Sequence, residues 1–377
     1  MLTRVPDLVR ACGERALLVT GARSFRQSSF HEELLVRLRQ LGCSWLEWVV
    51  DGEPSPQGVD DAVRTYRKER IDVVVAVGGG SVLDAAKAVA GLLPTGRSVM
   101  DFLEGVGPEL LYSGPSTPFI AVPTTAGTGS EATKNAVLSV VGEAGFKKSF
   151  RHDLLVARHA VVDPRLLATC PRPLIAANGM DALTQLLESY VSLRANPLTD
   201  AMAWSGLEAV RDGLLDWYER QAEAAEGQAH MAYAALLSGI TLAQVGLGSV
   251  HGLASPLGAF FPVPHGEVCG TLVASATAMN IQALRVRAPH GPALEKYARV
   301  GRLLARDERL SEEGAHKALV SVLTDWTRRM ELPRLRSYGL HEKDLAKVVA
   351  HSRGSSMKTN PIMLTDGELH SLLMQRL

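Results

Sequence analysis

The sequence contains few cysteines, and none of them are paired along the chain. Its four cysteines, Cys12, Cys43, Cys170 and Cys269, are far apart and form no CxxC motif. A disulfide framework or a thiolate metal site is therefore not expected, and the pattern is typical of a reducing compartment. An 18-residue apolar run and a signal-peptide pattern are also absent. We therefore expect a cytoplasmic protein with no membrane partner.

The sequence also lacks an excess of charge of either sign. Lys+Arg and Asp+Glu number 40 each, so the formal net charge is zero, and the composition of 46% hydrophobic and 21% charged residues is that of a globular protein. The chain therefore lacks the excess of basic residues that is typical of proteins that bind nucleic acid or an acidic membrane. The length of 377 residues allows two domains of ordinary size. We therefore expect a protein that acts on small molecules.

The first half of the chain alternates β-rich runs with helical stretches. Nearly continuous apolar strands separated by helices predict a parallel sheet that is covered on both faces. The helical stretches, at 30–42 and 58–71, have apolar residues three and four positions apart. The expected strands are Arg15–Gly21, Ser44–Gly52, Ile71–Gly80, Pro118–Thr125 and His159–Pro164.

From about Leu174 onward the chain shows consecutive helical patterns without strong strand candidates. The last segment has Thr365 and Glu368 at capping-box spacing, which predicts a final helix. The expected fold is an α/β dinucleotide-binding domain over 1–167, with a parallel sheet and helices on both faces, followed by an all-helical metal and substrate domain over 168–377.

A run of glycines stands between an expected strand and an expected helix. The stretch AVGGGSVLDAAKAVA contains Gly78, Gly79, Gly80 and Ser81. In parallel α/β sheets, ligands bind at the carboxyl ends of strands, where the next helix points its unpaired N–H groups. Glycines allow positive φ and close backbone approach, and Ser81 can cap the helix or donate to a phosphate oxygen. By itself, the stretch fits a tight turn equally well.

A second loop of similar character follows a later strand. VPTTAGTGSEAT presents hydroxyls at Thr124, Thr125, Thr128 and Ser130. Two donor-rich loops on adjacent strands favour a dinucleotide or a sugar phosphate. Neither loop matches GxxxxGK[ST] or GxGxxG, so a P-loop NTPase and the usual Rossmann fingerprint both lack support.

A carboxylate and two histidines form a candidate metal site. Asp181 and Gln185 are four residues apart on an expected helix and project from one face. An aspartate in an apolar helix is costly unless it is paired, hydrogen-bonded or metal-bound, and a helix cap or a solvated face is the alternative. His251 and His265 stand fourteen residues apart, with prolines between them that we expect to break the helix. The set suits zinc or ferrous iron, although two loop histidines are also compatible with structural roles.

Five stretches together resemble a known family. GGGSVLDAAKAVA, PTTAGTGSEAT, VVDP, NGMDALTQ and HGLASPLGAFFPVPHG, in this order, resemble the iron-containing (group III) alcohol dehydrogenases, relatives of glycerol dehydrogenase, maleylacetate reductase and dehydroquinate synthase. The likeness runs from about Arg15 to Asn360–Pro361. It implies a dinucleotide-binding domain, a helical domain, a metal in the cleft, and a homodimer or larger homo-oligomer.

The resemblance also assigns residues to sites. Asp84 and Lys87 match the GGGSxxDxAK motif on the nicotinamide side and are expected to be catalytic together with Ser255. The implied cofactor-binding residues are Gly21, Gly78, Gly79, Gly80, Ser81, Thr124, Thr125, Thr128 and Lys147. The implied metal ligands are Asp181, Gln185, His251 and His265.

Two positions in the helical half depart from the family pattern. The iron enzymes usually have a histidine four residues after the ligand aspartate, where this chain has Gln185, a weaker ligand through its carbonyl oxygen. Relatives of glycerol dehydrogenase type use Asp, His and His on zinc, so the remaining trio can suffice. Ser255 stands where many members have a histidine that helps to relay protons. The proton path can instead use the cofactor ribose, water or the Ser255 hydroxyl.

The N-terminal region departs as well. The family usually begins with an extra strand and an FGxG turn, so we expect here either a trimmed domain edge or a wrongly assigned start codon. After the first strand, many NAD-preferring members have an aspartate, whereas this chain has Gly21, Arg23 and Ser24. The missing carboxylate and the nearby cation favour tolerance of NADP(H), unless Arg23 is simply a solvated surface residue.

We therefore expect reversible hydride transfer between NAD(P)(H) and a small alcohol, aldehyde or ketone, with Fe2+ or Zn2+ lowering the pKa of the alcohol oxygen. Three alternatives stay open: a metal-independent reductase of maleylacetate type, a non-redox lyase resembling dehydroquinate synthase, and a dinucleotide-binding protein with a degraded site. The expected partners are the small-molecule substrate and further copies of the chain.

Overall fold

The computed structural model describes all residues 1–377, which divide by packing into two units. The first unit comprises Met1–Val140 and Lys147–Cys170, and the second comprises Val141–Phe146 and Pro171–Leu377. The short segment Val141–Phe146 joins the second unit through hydrogen bonds: the Gly142 N–H donates to the Ala259 carbonyl at 3.0 Å. No pattern in the sequence predicts that this segment packs with the second unit.

The first unit is built on a five-stranded parallel sheet. The strands of the chain are β1 (Arg15–Gly21), β2 (Ser44–Val50), β3 (Val73–Gly78), β4 (Phe119–Pro123), β5 (Asn135–Val140), β6 (Phe146–Arg151) and β7 (His159–Ala160). The order in the main sheet is β2-β1-β3-β4-β7, and β5 pairs with β6 in a separate two-stranded sheet. Strands β3 and β4 are buried along their whole length, as expected for apolar strands of a parallel sheet with both faces covered.

Helices cover this sheet and make up nearly all the regular structure that follows it. The helices of the first unit are α1 (Val5–Cys12), α2 (Ser29–Gln40), α3 (Pro56–Tyr66) and α4 (Gly80–Leu92). Those of the second unit are α5 (Arg172–Val191), α6 (Pro197–Arg220), α7 (Ala225–Val245), α8 (Ser249–Phe260), α9 (His265–Arg287), α10 (Pro292–Ala305), α11 (Glu312–Arg329), α12 (Leu345–Ala350) and α13 (Asp366–Met374). The predicted fold class is confirmed.

Two details of the helices bear on the sequence predictions. Thr365 caps α13, and its capping box with Glu368 is present as predicted. Pro256 lies inside α8 and does not break it; the chain turns only at the residues between Phe260 and His265. No single helix has the length and apolar character needed to cross a membrane, although α7 and α8, bent by 98° at their break, pass that test as a pair.

Candidate active site

The glycine run lies at the carboxyl end of β3 and begins α4. Gly78 is the last residue of the strand, and Gly79 is the N-cap of the helix, with φ −74°. None of the three glycines has positive φ, so the predicted use of that conformation is wrong. What requires glycine is close packing, because a methyl group on Gly80 would come within 2.8 Å of Thr128 Oγ1. Ser81 lies within the first turn of α4, so it does not cap the helix.

The threonine loop lies directly beside the glycine run. Strands β3 and β4 pair in register, with Gly78 opposite Pro123, and the Thr124 N–H donates to the Gly78 carbonyl at 2.9 Å. A methyl group on Gly79 would stand 3.3 Å from Thr125 Oγ1. The structure therefore brings the two predicted cofactor loops together at one edge of the sheet, where phosphate-bearing ligands bind in parallel α/β folds.

Lys87 and Asp84 lie beneath these loops. The fully buried Lys87 Nζ has four oxygens within hydrogen-bond distance, namely Ser130 O at 2.7 Å, Ser130 Oγ at 2.9 Å, Thr133 Oγ1 at 3.0 Å and Asn135 O at 2.7 Å. Asp84 Oδ1 accepts from Ser130 Oγ at 2.5 Å and lies 3.5 Å from Lys87 Nζ. Burial raises the pKa of Asp84 and lowers that of Lys87. These contacts hold the threonine loop in place, and a direct catalytic role of either residue stays a prediction.

Three other residues complete this part of the first unit. Glu131 is buried beside Lys87, and burial raises the pKa of Glu131 to about 7. Lys147 lies on β6 and forms an ion pair with Glu53 at 2.9 Å, whereas Gly21 ends β1. The predicted roles of Lys147 and Gly21 in cofactor binding stay predictions.

A cluster of potential metal ligands lies in the second unit. Asp181, His251, His265 and Cys269 each offer one ligand atom, and these atoms all lie within 4.8 Å of one another. Asp181 Oδ1 is 3.2 Å from His251 Nε2 and 3.8 Å from His265 Nε2. The first three residues were predicted together as ligands from the sequence, and Cys269 was not.

Three helices contribute to this cluster. Asp181 lies in the middle of α5, His251 in the first turn of α8, and His265 at the first position of α9. The histidines therefore stand on helices rather than in loops, contrary to the sequence prediction. Cys269 follows His265 by four residues, so both side chains project from one face of α9. That spacing is the signal that could have revealed Cys269.

The cluster combines burial with negative charge. Burial alone would raise the pKa of Asp181, but His265 and His251 outweigh it and hold that pKa below its ordinary value. Burial would lower the pKa of His251, but Cys269, Asp181 and Glu188 together raise it. Burial raises the pKa of the Cys269 thiol to about 12. Asp181 thus remains an anion at the centre of a buried group, an environment that favours a bound cation.

Glu188 is a second residue of the site that was not predicted from the sequence. Its Oε2 lies 2.7 Å from His251 Nδ1, and its Oε1 accepts from the Val250 N–H at 2.7 Å. A histidine that donates from Nδ1 to a carboxylate presents Nε2 as the ligand atom, which is the usual arrangement around protein-bound metals. Glu188 is seven residues after Asp181 on α5, so helical periodicity places both on one face.

Gln185 and Ser255 lie near the cluster on the same helices as its members. Gln185 Nε2 donates to Asp181 Oδ2 at 3.3 Å, while its carbonyl oxygen accepts from Ser238 Oγ at 2.8 Å. The structure thus turns the amide oxygen of Gln185 toward Ser238, and its predicted place among the ligands stays a prediction. Ser255 follows His251 by four residues on α8 and shares its helix face. Its part in proton transfer likewise stays a prediction.

The donor set fits a divalent transition metal. One carboxylate oxygen, two imidazole nitrogens and one sulfur converge in the cluster of Asp181, His251, His265 and Cys269. Such mixed donors suit Zn2+ or Fe2+, whereas Mg2+ and Ca2+ prefer oxygen ligands.

Comparison with known proteins identifies the family. The model for iron-containing alcohol dehydrogenases matches residues 1–164, and that for the C-terminal part of the Fe-containing alcohol dehydrogenase family matches residues 175–377. The chain belongs to the iron-containing alcohol dehydrogenase family. It is 33% identical over 347 residues to 1,3-propanediol dehydrogenase of Citrobacter freundii, covering 88% of this chain and 83% of that protein. It is 30% identical to NADPH-dependent butanol dehydrogenase of Clostridium saccharobutylicum, covering 89% of this chain and 84% of that protein.

Solved structures of this family share the fold. A 1,3-propanediol oxidoreductase superimposes with a TM-score of 0.87 at 28% identity, covering 100% of this chain and 96% of that chain. A sulfoacetaldehyde reductase from Bifidobacterium kashiwanohense, solved in complex with NAD+, superimposes with a TM-score of 0.82 at 26% identity, covering 100% and 94%. Family membership indicates an alcohol dehydrogenase that acts on small alcohols or aldehydes, and it implies a divalent metal and a nicotinamide cofactor.

Proposed function

We propose that this chain catalyses metal-assisted, reversible hydride transfer between NAD(P)(H) and a small alcohol, aldehyde or ketone. The observation that carries the proposal is the convergence of Asp181, His251, His265 and Cys269, whose ligand atoms lie within 4.8 Å of one another. Family membership supports the reaction class, and the cluster supports the assistance of a metal.

The protein's own residues prepare the metal site. A divalent metal held there would polarise the alcohol or carbonyl oxygen of the substrate and lower the pKa of the alcohol. Glu188 orients the His251 ring through its 2.7 Å contact to Nδ1. Asp181 supplies a buried negative charge, and His265, whose side chain is 25% exposed, forms the solvent-facing side of the cluster.

The loops of the first unit are proposed to bind the cofactor. The first turn of α4 offers N–H groups to a pyrophosphate, and the glycines let the threonine loop pack directly against that turn. The nicotinamide supplies the hydride chemistry, and the protein supplies binding and orientation. Asp84 and Lys87 are proposed to act by fixing the threonine loop.

We propose that the cofactor site accepts NADP(H). Arg23 is exposed just beyond β1, where a cation suits a 2′-phosphate. One relative is named as NADPH-dependent and another was solved with NAD+, so turnover with both cofactors should be compared. The homo-oligomeric state and the cytoplasmic location expected from the sequence stay predictions.

Replacing one ligand tests the metal assignment. We expect His265→Ala to lose the bound metal and to lower NAD(P)-dependent turnover of short aldehydes by more than about 100-fold, because several kcal/mol of charge stabilisation disappear. Binding of NAD(P)H, followed by fluorescence titration, should persist because the proposed cofactor loops belong to the first unit. His290→Ala, at an exposed histidine of the same unit, is the control.

The same experiment separates the alternatives. Full metal occupancy in His265→Ala would remove His265 from the site. Turnover that survives chelation of the wild-type protein would favour a metal-independent reductase of maleylacetate type. Binding of NAD(P)H without turnover of any substrate would favour a dinucleotide-binding protein. Product formation from a phosphorylated sugar acid without net change in NADH would favour the lyase.

A further inference from the structure

A single buried cysteine lies against both histidines of the metal cluster. Cys269 Sγ is 3.6 Å from His251 Nε2 and 3.8 Å from His265 Nε2. The residue is fully buried, and its sulfur also interacts with the Asp181 carboxylate. Cys269 therefore lies close to all three of the other cluster residues.

The distances within this cluster match the edges of a tetrahedral metal site. With a Zn–S bond of about 2.3 Å and a Zn–N bond of about 2.0 Å, tetrahedral angles place sulfur and nitrogen about 3.5 Å apart. The same angles place nitrogen and oxygen donors about 3.3 Å apart. The observed distances are 3.6 and 3.8 Å for the two sulfur–nitrogen pairs, and 3.2 and 3.8 Å for the two nitrogen–oxygen pairs. One ion can therefore reach all four donor atoms with small side-chain shifts.

Gln185 stands where the family pattern has a histidine ligand, and its oxygen points away from the cluster. The carbonyl oxygen of Gln185 accepts from Ser238 Oγ at 2.8 Å, and its amide nitrogen donates to Asp181. The cluster thus lacks a fourth donor from α5. Cys269, one turn after His265 on α9, stands where it can supply that donor.

We propose that the Cys269 sulfur is the fourth protein ligand of the metal, and that it makes the site select zinc over ferrous iron. The inference rests on the proposed function, which places a metal here. When the metal binds, the sulfur–hydrogen bond breaks, the sulfur electron pair forms the metal–sulfur bond, and the proton passes to solvent. A thiolate is a soft ligand, and Zn2+ lies above Fe2+ in the general order of affinity for such sites.

This ligand set still leaves access for a substrate. Zinc sites with four protein ligands are mostly structural, whereas catalytic sites keep a position for the substrate oxygen or expand to five ligands. Asp181 and Cys269 are fully buried, and only His265 has a substantial exposed fraction, 25% of its side chain. The substrate oxygen can therefore approach from the side of His265.

Cobalt substitution tests this assignment directly. The wild-type protein is stripped with a chelator and loaded with one equivalent of Co2+, and its absorption is recorded in the near ultraviolet. We expect a thiolate-to-cobalt charge-transfer band that is lost in Cys269→Ser and Cys269→Ala. The matched control is Cys43→Ser, a buried cysteine in the first unit, which should keep the band. Competition between Zn2+ and Fe2+, followed by metal analysis, should show a preference for zinc that falls at least about tenfold in Cys269→Ser.

The outcomes separate this inference from the proposed function. Stoichiometric cobalt binding by the wild-type protein without a charge-transfer band overturns the inference, whatever the activity, and requires no variant to fold. A band of wild-type strength in Cys269→Ser overturns it as well, and so does failure of the wild-type protein to bind cobalt. A band that depends on Cys269 in a protein without NAD(P)-dependent turnover supports the inference and contradicts the proposed function.

Discussion

At the scale of single residues, Glu188 has the clearest consequence for metal binding. Its carboxylate fixes the tautomer and the orientation of His251 through Nδ1. Glu188→Gln keeps the shape of the side chain but removes its charge. We expect this change to weaken metal affinity by about 10-fold to 100-fold, the usual effect of losing such a partner. The metal affinities of the variant and of wild type are measured by competition with a metal indicator of known affinity.

A matched control isolates the role of Glu188. Glu226→Gln changes an exposed carboxylate on α7 and should leave the metal affinity unchanged. If Glu188→Gln bound the metal as tightly as wild type, orientation of His251 would have to come from packing alone. A parallel loss of affinity in both variants would point to net charge as the cause instead.

Glu131 predicts a pH dependence of stability. Burial raises the pKa of this carboxyl from 4.5 to about 7. Because the folded-state pKa is the higher one, its contribution to the free energy of unfolding is fully present below about pH 4.5 and is lost as the pH rises to about 7. Glu131→Gln removes this pH dependence of the free energy of unfolding. We expect the free energy of unfolding of the variant to exceed that of wild type by up to about 3 kcal/mol at pH 8 and to match it near pH 4.5.

Urea unfolding across this pH range measures the effect of Glu131. Glu308→Gln, at an exposed position, should follow the wild-type profile. Parallel profiles for Glu131→Gln and wild type would mean that Glu131 keeps its ordinary pKa in the folded protein. A variant less stable than wild type at every pH would show that the buried carboxylate forms contacts that an amide cannot replace.

At the scale of secondary-structure elements, the sequence predicted what local patterning determines. The bounds of β1 were predicted as observed because its apolar run ends at Gly21. Strands β5 and β6 were missed, since β6, with the sequence FKKSFR, has no apolar alternation and pairs with β5 outside the main sheet. Cys269 was missed for a related reason: no second cysteine stands near it in sequence, and tertiary packing supplies its partners.

The contact between the glycine run and the threonine loop also belongs to this scale. A methyl group on Gly80 would stand 2.8 Å from Thr128 Oγ1, a distance that forces the two loops apart. Because we propose that both loops bind the dinucleotide, we expect Gly80→Ala to weaken NAD(P)H binding at least about tenfold, or about 1.4 kcal/mol. Fluorescence titration of NAD(P)H measures this affinity.

The control for Gly80 is a glycine with free space around it. Gly367 lies in the first turn of α13, where a methyl group would meet nothing within 4 Å. Gly367→Ala should therefore bind NAD(P)H as wild type does. Metal content should be normal in both variants because all four cluster residues lie in the second unit. Wild-type affinity in Gly80→Ala would exclude a role of this close packing in cofactor binding.

At the scale of the whole molecule, the residues proposed to bind the cofactor and those proposed to bind the metal belong to different packing units. The glycine and threonine loops lie in Met1–Val140, and the metal cluster draws on α5, α8 and α9 in Pro171–Leu377. A metal that joins three helices stabilises the folded form by about 2.7 kcal/mol when its free concentration is 100 times its Kd. The unit that supplies the ligands should receive this stabilisation.

Hydrogen exchange with and without metal tests this division. We expect added Zn2+ to slow exchange in peptides from α5, α8 and α9, because the ion links helices whose ligands are separated by up to 88 positions in sequence, Asp181 to Cys269. Peptides from β1, β3 and β4 should exchange as before, since these strands supply no ligand. His265→Ala should lose the effect in all three helices together, because the loss of one ligand weakens the link among them all. Slower exchange confined to α9 would instead indicate that the ion binds only His265 and Cys269, without Asp181.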